Sequence, residues 1–273
     1  MAASLPDPRT AAGRLGLAAV LADPARAVIA IDYDGTLAPI VERPPDARPQ
    51  AGAVEALAAL AGAIGRCAVV SGRGALDAVA VGGFAAAPGL LVVGHYGLES
   101  WIDGRLESPA PDPGVDVARP RVHDLVAVMA IAGVHVEDKS HALVVHARPA
   151  SDPAAALEAL AEPLAAIARD CRLEVVPGRM VLELRPPGVD KGFAVRRLSE
   201  GWGAVGYVGD DLGDLPAYDA IEALRAEGVP GFTAASVSGD DAPRELADRA
   251  DLVLAGPPDV VRFLTALAAA IGA

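Results

Sequence analysis

The chain has 273 residues, of which 52% are hydrophobic and 22% are charged, and its formal net charge at pH 7 is −13. This composition supports a sizeable buried core and excludes a disordered chain. The negative charge excludes nucleic acid and anionic membrane surfaces as expected partners, because both repel an acidic protein. An anionic small substrate would need a local group of cations or a metal ion.

The two cysteines and the two chain ends favour a cytoplasmic protein. Cys67 and Cys171 have neither the spacing of a zinc site nor that of a disulfide framework, which suits a reducing compartment. Residues 1–9 lack a basic start followed by an apolar block, so we predict no signal peptide. The apolar segment 260–273 is interrupted by Arg262 and is too short to span a bilayer, so we expect a packed terminal helix.

The first and last thirds of the chain alternate between predicted strands and helices. Apolar runs bounded by turn residues predict buried strands over residues 27–31, 67–70, 90–93, 204–208, 231–234 and 251–254. Amphipathic segments predict helices over residues 11–21, 52–61, 191–199 and 215–226. This order predicts an α/β fold in which helices cover both faces of a parallel sheet.

The middle of the chain has a different pattern. A hairpin is predicted around Asp103 and Gly104, and proline-rich segments at 109–113 and 186–188 are typical of linkers. Between them we predict helices over 122–131 and 153–169 and strands over 141–147, 173–176 and 180–184. We therefore expect a discontinuous core formed by residues 1–105 and 188–273, with a smaller α+β module, residues 106–187, inserted into it.

Polar residues follow separate segments of the predicted core, namely Asp32 with Asp34, Ser71, Lys191 and the group that begins at Asp210. In an open parallel sheet, ligands bind just outside the carboxyl ends of the strands. We therefore expect these segments to meet in one crevice.

Asp32 ends a buried strand, where its carboxylate needs a cation, and Asp34 follows two residues later. One carboxylate could attack phosphorus while the other handles the proton of the leaving oxygen. The alternative is that both acids form an ordinary turn before a loop.

Asp210, Asp211 and Asp214 place three carboxylates within one turn after a strand, which favours a magnesium site with oxygen ligands. The alternative is an acidic helix start, where aspartate is favoured in any case.

Ser71 and Lys191 are weaker signals when taken alone. The Ser71 hydroxyl, with the main-chain amides of Gly72 and Arg73, could hold a phosphate oxygen, but a Ser-Gly pair is often only a turn. The Lys191 ammonium could neutralise a phosphoryl group, although a single lysine is most often a solvated surface residue.

Taken together, these segments resemble the four motifs of the haloacid dehalogenase phosphatases. The matching runs are Asp-Tyr-Asp-Gly-Thr-Leu at 32–37, Ser-Gly-Arg at 71–73, Lys-Gly at 191–192 and Gly-Asp-Asp-Leu-Gly-Asp at 209–214. Further segments are similar to those of trehalose-6-phosphate phosphatases, at 38–40, 94–99, 136–139, 146–148 and 183–186. The chain departs from the pattern at Tyr96, Ala142 and Ala147 and in the residues after Asp211. These departures weaken the identification of the sugar substrate more than that of the phosphatase reaction.

The resemblance implies a Rossmann-like hydrolase core and an aspartyl-phosphate mechanism. Asp32 would attack phosphorus, and Asp34 would protonate the leaving oxygen and then activate water. Mg²⁺ would be held by Asp32, the main-chain carbonyl of Asp34 and Asp210, with Asp211 and Asp214 acting directly or through water. Lys191 and Ser71 would offset the charge of the phosphoryl oxygens.

The same resemblance makes the inserted module a cap domain that closes over the site and selects the sugar. Glu137, Lys139 and Glu183 are the candidates for hydrogen bonds to sugar hydroxyls, and Arg148 and Arg179 are further candidates. From the residues alone, the segment 137–139 could also be a solvated turn.

The expected function is therefore magnesium-dependent hydrolysis of trehalose 6-phosphate, with a small-molecule sugar phosphate as the partner. Another sugar-phosphate phosphatase, of the sucrose- or mannosyl-phosphate type, is the nearest alternative. A phospho-accepting receiver module is a second one, but such domains are about half this length and lack the second aspartate and the insert. A dinucleotide-binding protein is disfavoured because no Gly-x-Gly-x-x-Gly run follows the first strand. The sequence leaves the oligomeric state open.

Overall fold

The computed structural model of the protein describes residues 4–41, 43–178, 180–239 and 243–272. The chain divides into two compact units, of which the first combines Met1–Ser108 with Asp190–Ala273 and the second is Pro109–Val189. No helix within the described residues combines the length and the apolar character needed to cross a membrane.

The strands of the described residues run through both units. In chain order they are β1 (Ala27–Asp32), β2 (Arg66–Val70), β3 (Leu91–Gly94), β4 (Glu99–Ile102), β5 (Arg105–Glu107), β6 (His135–Asp138), β7 (Leu143–His146), β8 (Glu174–Gly178), β9 (Val181–Arg185), β10 (Ala204–Gly209), β11 (Gly231–Ser236) and β12 (Leu252–Leu254).

The helices alternate with these strands. In chain order they are α1 (Ala11–Ala22), α2 (Ala53–Ala63), α3 (Ala75–Gly82), α4 (Pro113–Met129), α5 (Pro153–Cys171), α6 (Lys191–Ser199), α7 (Leu215–Ala226), α8 (Arg244–Arg249) and α9 (Gly256–Ile271). The sequence pattern did not predict α3, β6 or α8, which are short.

The first unit is built on a sheet with the strand order β12-β11-β10-β1-β2-β3-β4-β5. Its strands pair in parallel from β12 to β3, which confirms the predicted α/β class. The hairpin of β4 and β5 extends the sheet antiparallel to β3, and its turn residues Asp103 and Gly104 both have positive φ, as a tight two-residue hairpin requires.

Helices cover both faces of this sheet. On one face α1, α2 and α9 contribute buried side chains such as Leu17, Leu57 and Phe263, and on the other α6 and α7 contribute Val195 and Tyr218. The central strands β1 and β10 are buried along their whole length, because both of their faces are covered.

The strand register aligns the carboxyl ends of the central strands. Asp32 lies opposite Val70 on β2, and Ile31 lies opposite Val208 on β10. Ser71 and Asp210 therefore begin the loops that leave the same edge of the sheet as Asp32.

The second unit has an antiparallel sheet with the order β6-β7-β9-β8, and α4 and α5 pack on it through a separate apolar cluster that includes Val122, Leu143 and Leu160.

The helix predicted over 122–131 in fact begins at Pro113. Asp112 caps this helix by accepting a hydrogen bond from the Gly114 amide at 2.7 Å, and proline is well tolerated in a first helical turn. The prolines that we interpreted as a linker are thus partly a helix start.

Candidate active site

Asp32 and Lys191 form a buried ion pair at the carboxyl edge of the parallel sheet. Asp32 is the last residue of β1, and Lys191 is the first residue of α6, whose cap residue Asp190 accepts a hydrogen bond from the Phe193 amide. The Lys191 Nζ lies 2.8 Å from the Asp32 Oδ1. Burial alone would lower the pKa of Lys191, but the carboxylates of Asp214 and Asp32 outweigh it and raise this pKa, so Lys191 is charged.

Asp214 is completely buried and accepts four hydrogen bonds. Its Oδ1 accepts from Lys191 Nζ at 2.7 Å and from the Tyr207 hydroxyl at 2.6 Å. Its Oδ2 accepts from the amides of Asp210 at 2.9 Å and Asp211 at 3.0 Å. A carboxylate has about four lone-pair positions, so the side chain of Asp214 is fully used in holding its neighbours.

Three carboxylates lie close together at this buried edge of the sheet. Their combined negative charge exceeds the single positive charge of Lys191. Oxygens of Asp32, Asp210 and Asp214 lie within 4.8 Å of one another. Burial raises the pKa of Asp210 to about 7, and the negative charges of Asp214 and Asp211 make the next largest contributions to this rise. Burial likewise raises the pKa of Asp32, against the opposing charge of Lys191. A divalent cation with a preference for oxygen ligands would offset this excess charge.

The loop after β1 is shaped to receive the Asp210 carboxylate. A Cβ at Gly35 would lie 1.9 Å from the Asp210 Oδ2, and the φ of Gly35 is +87°. The Thr36 hydroxyl lies 3.2 Å from the Asp210 Oδ1, and the Ser236 hydroxyl donates to the Gly35 carbonyl at 2.9 Å. Only a residue without a side chain lets Asp210 approach this closely.

Ser71, Gly72 and Arg73 lie at the end of β2, beside this group. The buried Ser71 Oγ accepts a hydrogen bond from the Arg73 amide at 3.1 Å. A Cβ at Gly72 would lie 2.5 Å from the Tyr96 hydroxyl oxygen, so a larger residue here would displace the Tyr96 side chain. The segment thus packs tightly at the same sheet edge.

Asp34 is held by Arg73 and is not one of the three clustered carboxylates. The Arg73 guanidinium binds it with both arms, Nε to Oδ2 at 2.8 Å and Nη2 to Oδ1 at 2.6 Å. The Asp34 side chain remains 43% exposed, so its carboxylate can be reached from solvent. Sequence analysis predicted both residues but not their pairing.

Asp211 lies at the margin of the site. Its Oδ1 accepts from the Gly213 amide at 2.9 Å and lies 3.8 Å from the Lys191 Nζ. The side chain is 59% exposed. Its predicted role at a metal stays a prediction.

The predicted sugar-binding residues all belong to the second unit. Glu137 lies on β6, where its Oε2 is 2.7 Å from the Nε2 of His146, and this hydrogen bond lowers the pKa of Glu137. Lys139 follows β6, and Glu183 is a buried residue of β9. Glu137 is therefore in a strand and not in a turn. The further candidate Arg179 lies outside the described residues.

Sequence reasoning missed two residues that touch the acidic group. Thr36 was part of a quoted motif but had no role assigned, and Tyr207 was counted only as part of a strand. The sequence does contain an indication of a special role for Tyr207, because it is the one polar side chain in the run Ala-Val-Gly-Tyr-Val-Gly of β10.

This fold is similar to that of the haloacid dehalogenase-like class. The structure of a haloacid dehalogenase-like hydrolase from Bacteroides thetaiotaomicron matches 87% of this chain and 98% of its own with a TM-score of 0.63 at 16% identity, a likeness of fold alone. The C-terminal domain of trehalose-6-phosphate phosphatase from C. albicans matches 98% of this chain and 99% of its own with a TM-score of 0.76 at 21% identity, again a likeness of fold.

Within that class, the chain belongs to the trehalose-phosphatase family, whose family model matches residues 30–248. The trehalose-phosphate phosphatase of Mycobacterium avium (strain 104) is 37% identical over 226 residues, which cover 77% of this chain and 55% of that protein. The chain thus spans about half the length of the curated trehalose-phosphate phosphatases it matches.

Proposed function

We propose that this chain hydrolyses trehalose 6-phosphate to trehalose and phosphate through an aspartyl-phosphate on Asp32. The observation that carries the proposal is the position of Asp32, beside a charged lysine and within a group of carboxylates at the carboxyl edge of a parallel sheet. Membership of the trehalose-phosphatase family supports the substrate.

Mg²⁺ fits the donor set of this site. Asp32 and Asp210, with the main-chain carbonyl of Asp34, are the proposed ligands, and their oxygens are the kind that Mg²⁺ prefers. The close approach of Asp210 to Gly35 and the raised pKa of Asp210 both support a site built for a cation. When bound, Mg²⁺ would offset the negative charge of the phosphoryl oxygens. Asp214 is proposed to orient the site, because its oxygens already accept four hydrogen bonds.

In the first step, an oxygen of Asp32 forms a bond to phosphorus, and the bond between phosphorus and the sugar oxygen breaks. Asp34 gives its proton to the departing sugar oxygen. The ammonium of Lys191 and the hydroxyl of Ser71 offset the charge on the phosphoryl oxygens.

In the second step, Asp34 takes a proton from water, which attacks the phosphorus and frees Asp32 and phosphate. The Arg73 pairing keeps Asp34 oriented, and its exposed position lets water reach it.

The second unit, Pro109–Val189, is proposed to be the cap that recognises the sugar. Glu137, Lys139 and Glu183 are the proposed partners of sugar hydroxyls, since each offers a charged hydrogen-bonding group. The cytoplasmic location stays a prediction.

The test is phosphate release from trehalose 6-phosphate, with Mg²⁺ and with the metal removed by a chelator. Sucrose 6-phosphate, mannosyl phosphates and glucose 6-phosphate are the comparison substrates. We expect trehalose 6-phosphate to be preferred and release to stop without metal. Equal rates on all of these esters would refute the sugar assignment while sparing the phosphatase.

The covalent route has its own test in Asp32→Asn, which removes the nucleophile and is expected to abolish turnover. Substantial activity in this variant would count against the aspartyl-phosphate. A phosphorylated chain that persists without turnover would instead favour the receiver-like alternative.

A further inference from the structure

Tyr207 is a polar residue in an otherwise apolar strand, and the proposed reaction gives it no role. It lies in the middle of β10, and its side chain is completely buried. Its hydroxyl donates a hydrogen bond to the Asp214 Oδ1 at 2.6 Å. A buried phenol is costly unless its hydroxyl is paired, and phenylalanine would fill the same space. The contact with Asp214 is therefore what distinguishes tyrosine from phenylalanine here.

Tyr207 and Lys191 share one oxygen of Asp214. The Lys191 Nζ lies 2.7 Å from the same Oδ1 and 2.8 Å from the Asp32 Oδ1. A continuous line of contacts thus runs from the Tyr207 hydroxyl through Asp214 to Lys191 and on to Asp32. All four side chains are buried.

The members of this line differ in how firmly they are held. Lysine carries its charge on a flexible four-carbon chain, so its acceptors determine where the ammonium sits. The ring of Tyr207 is packed in the core, with the ring of Tyr218 edge-on at 6.4 Å between centroids. The Tyr207 hydroxyl is therefore held in one position, from which it can orient the Asp214 Oδ1 toward Lys191.

We propose that Tyr207 is a positioning residue, which orients Asp214 so that the Lys191 ammonium stays beside Asp32 and the phosphoryl group. This inference rests on the proposed function, which identifies Asp32 as the reacting group. Tyr207 has no contact with the substrate in this role, and its effect on the reaction is transmitted through Lys191.

Tyr218 provides a matched control. It is also completely buried and packs against Tyr207, but among the described residues its hydroxyl has no hydrogen-bond partner. Changing either tyrosine to phenylalanine removes one buried hydroxyl from the same aromatic pair. Only Tyr207→Phe removes a contact with Asp214.

The experiment compares Tyr207→Phe with Tyr218→Phe in the full chain with Mg²⁺. Turnover is measured on trehalose 6-phosphate and on p-nitrophenyl phosphate, and binding of inorganic phosphate is measured by titration calorimetry. We expect Tyr207→Phe to lower kcat about tenfold and to weaken phosphate binding by a similar factor, as loss of a charge-assisted hydrogen bond does. Tyr218→Phe should change both by less than about twofold, because it breaks no hydrogen bond.

A double variant tests whether the effect of Tyr207 on phosphate binding is transmitted through Lys191. Phosphate binding is expected to be equally weak in Lys191→Ala and in Lys191→Ala combined with Tyr207→Phe, since residues that act through one another are not additive. A further loss in the double variant would overturn the proposed route. Equal kcat and equal phosphate affinity in the two single tyrosine variants would overturn the inference as a whole.

The remaining outcomes separate this inference from the proposed function. If the wild type hydrolyses neither ester but Tyr207→Phe still weakens phosphate binding, the function fails and the positioning role stands. If turnover is present and both tyrosine variants behave alike, the function stands and the positioning role fails. Should Tyr207→Phe not fold, Asp214→Asn carries the test, and wild-type phosphate affinity in that variant would contradict the inference.

Discussion

The guanidinium of Arg73 holds both carboxylate oxygens of Asp34, through Nε at 2.8 Å and Nη2 at 2.6 Å. The hydrogen bonds to Asp34 raise the pKa of Arg73. Arg73 also stacks on the buried ring of Tyr33, with its Cζ 5.6 Å from the ring centroid. The proposed acid–base residue is thus oriented by a side chain from the loop that follows the neighbouring strand β2.

Arg73→Lys is expected to lower kcat by about tenfold or more, because lysine keeps the charge but cannot hold two oxygens at once. The measurement is kcat on trehalose 6-phosphate, with the melting temperature as a check on folding. Arg262→Lys is the control, since Arg262 pairs with Asp259 within α9 but donates through both Nε and Nη2 to one carboxylate oxygen, Oδ1. A kcat that falls equally in both variants would argue against a role for Arg73 in orienting Asp34.

Gly35→Ala is expected to weaken Mg²⁺ binding by at least about tenfold, because the new Cβ would displace the Asp210 carboxylate and one ligand contact would be lost. Gly83→Ala is the matched control. Gly83 also has positive φ, +65°, but a Cβ there meets nothing within 4 Å. Both variants carry the backbone strain of an alanine at positive φ, and only Gly35→Ala disturbs Asp210. Titration calorimetry with Mg²⁺ measures the difference, and equal affinities would exclude Asp210 as a ligand.

Mg²⁺ affinity should depend on pH through Asp210, whose pKa is raised to about 7. Because the ionised carboxylate binds the cation and the protonated acid does not, protons compete with Mg²⁺ below that pH. We expect affinity to fall about tenfold for each pH unit below 7 and to level off above it. Titrations at several pH values check this, and an affinity that does not change between pH 5.5 and 8 would contradict it.

The same pKa predicts how stability changes with pH in metal-free protein. An acid whose pKa is raised on folding holds more protons in the folded state than in the unfolded state, over the window from its ordinary value near 4 up to about 7. The contribution of Asp210 to stability is therefore greatest at low pH and is lost as the pH rises through this window. The melting temperature should rise less between pH 8 and pH 6 in Asp210→Asn than in the wild type, and an unchanged profile would contradict the prediction.

Gly16→Ala should destabilise the fold by about 1–3 kcal/mol, as overpacking of a tight core contact does. Helix α1 packs so closely on β11 that a Cβ at Gly16 would lie 1.9 Å from the Gly231 carbonyl oxygen. Gly62→Ala is the control, because Gly62 is in α2 with nothing within 4 Å of its added Cβ. This control should stabilise the protein by about 0.5–1 kcal/mol through helix propensity. Denaturant unfolding measures both, and a stabilising Gly16→Ala would show that the interface can relax.

The sequence alone determined the fold class and the acids of the site. The runs 27–31 and 67–70 are apolar throughout, which predicts strands buried on both faces, and parallel strands bring their carboxyl ends to one edge. Asp32 and Asp210 were expected to meet for that reason, and their oxygens lie within 4.8 Å of one another, with the Lys191 Nζ 2.8 Å from the Asp32 Oδ1. The helix α4 was predicted nine residues short, because prolines that suit a first helical turn also suit a linker.

Only the tertiary structure decided which partner each of these residues has. The pairing of Arg73 with Asp34 joins residues 39 positions apart, and the contact of Thr36 with Asp210 joins residues 174 positions apart. Local pattern carries no information on such pairs, because a hydrogen bond depends on the distance and angle between side chains that packing brings together. The role inferred for Tyr207 likewise depends on a single oxygen of Asp214, which no periodicity in β10 could indicate.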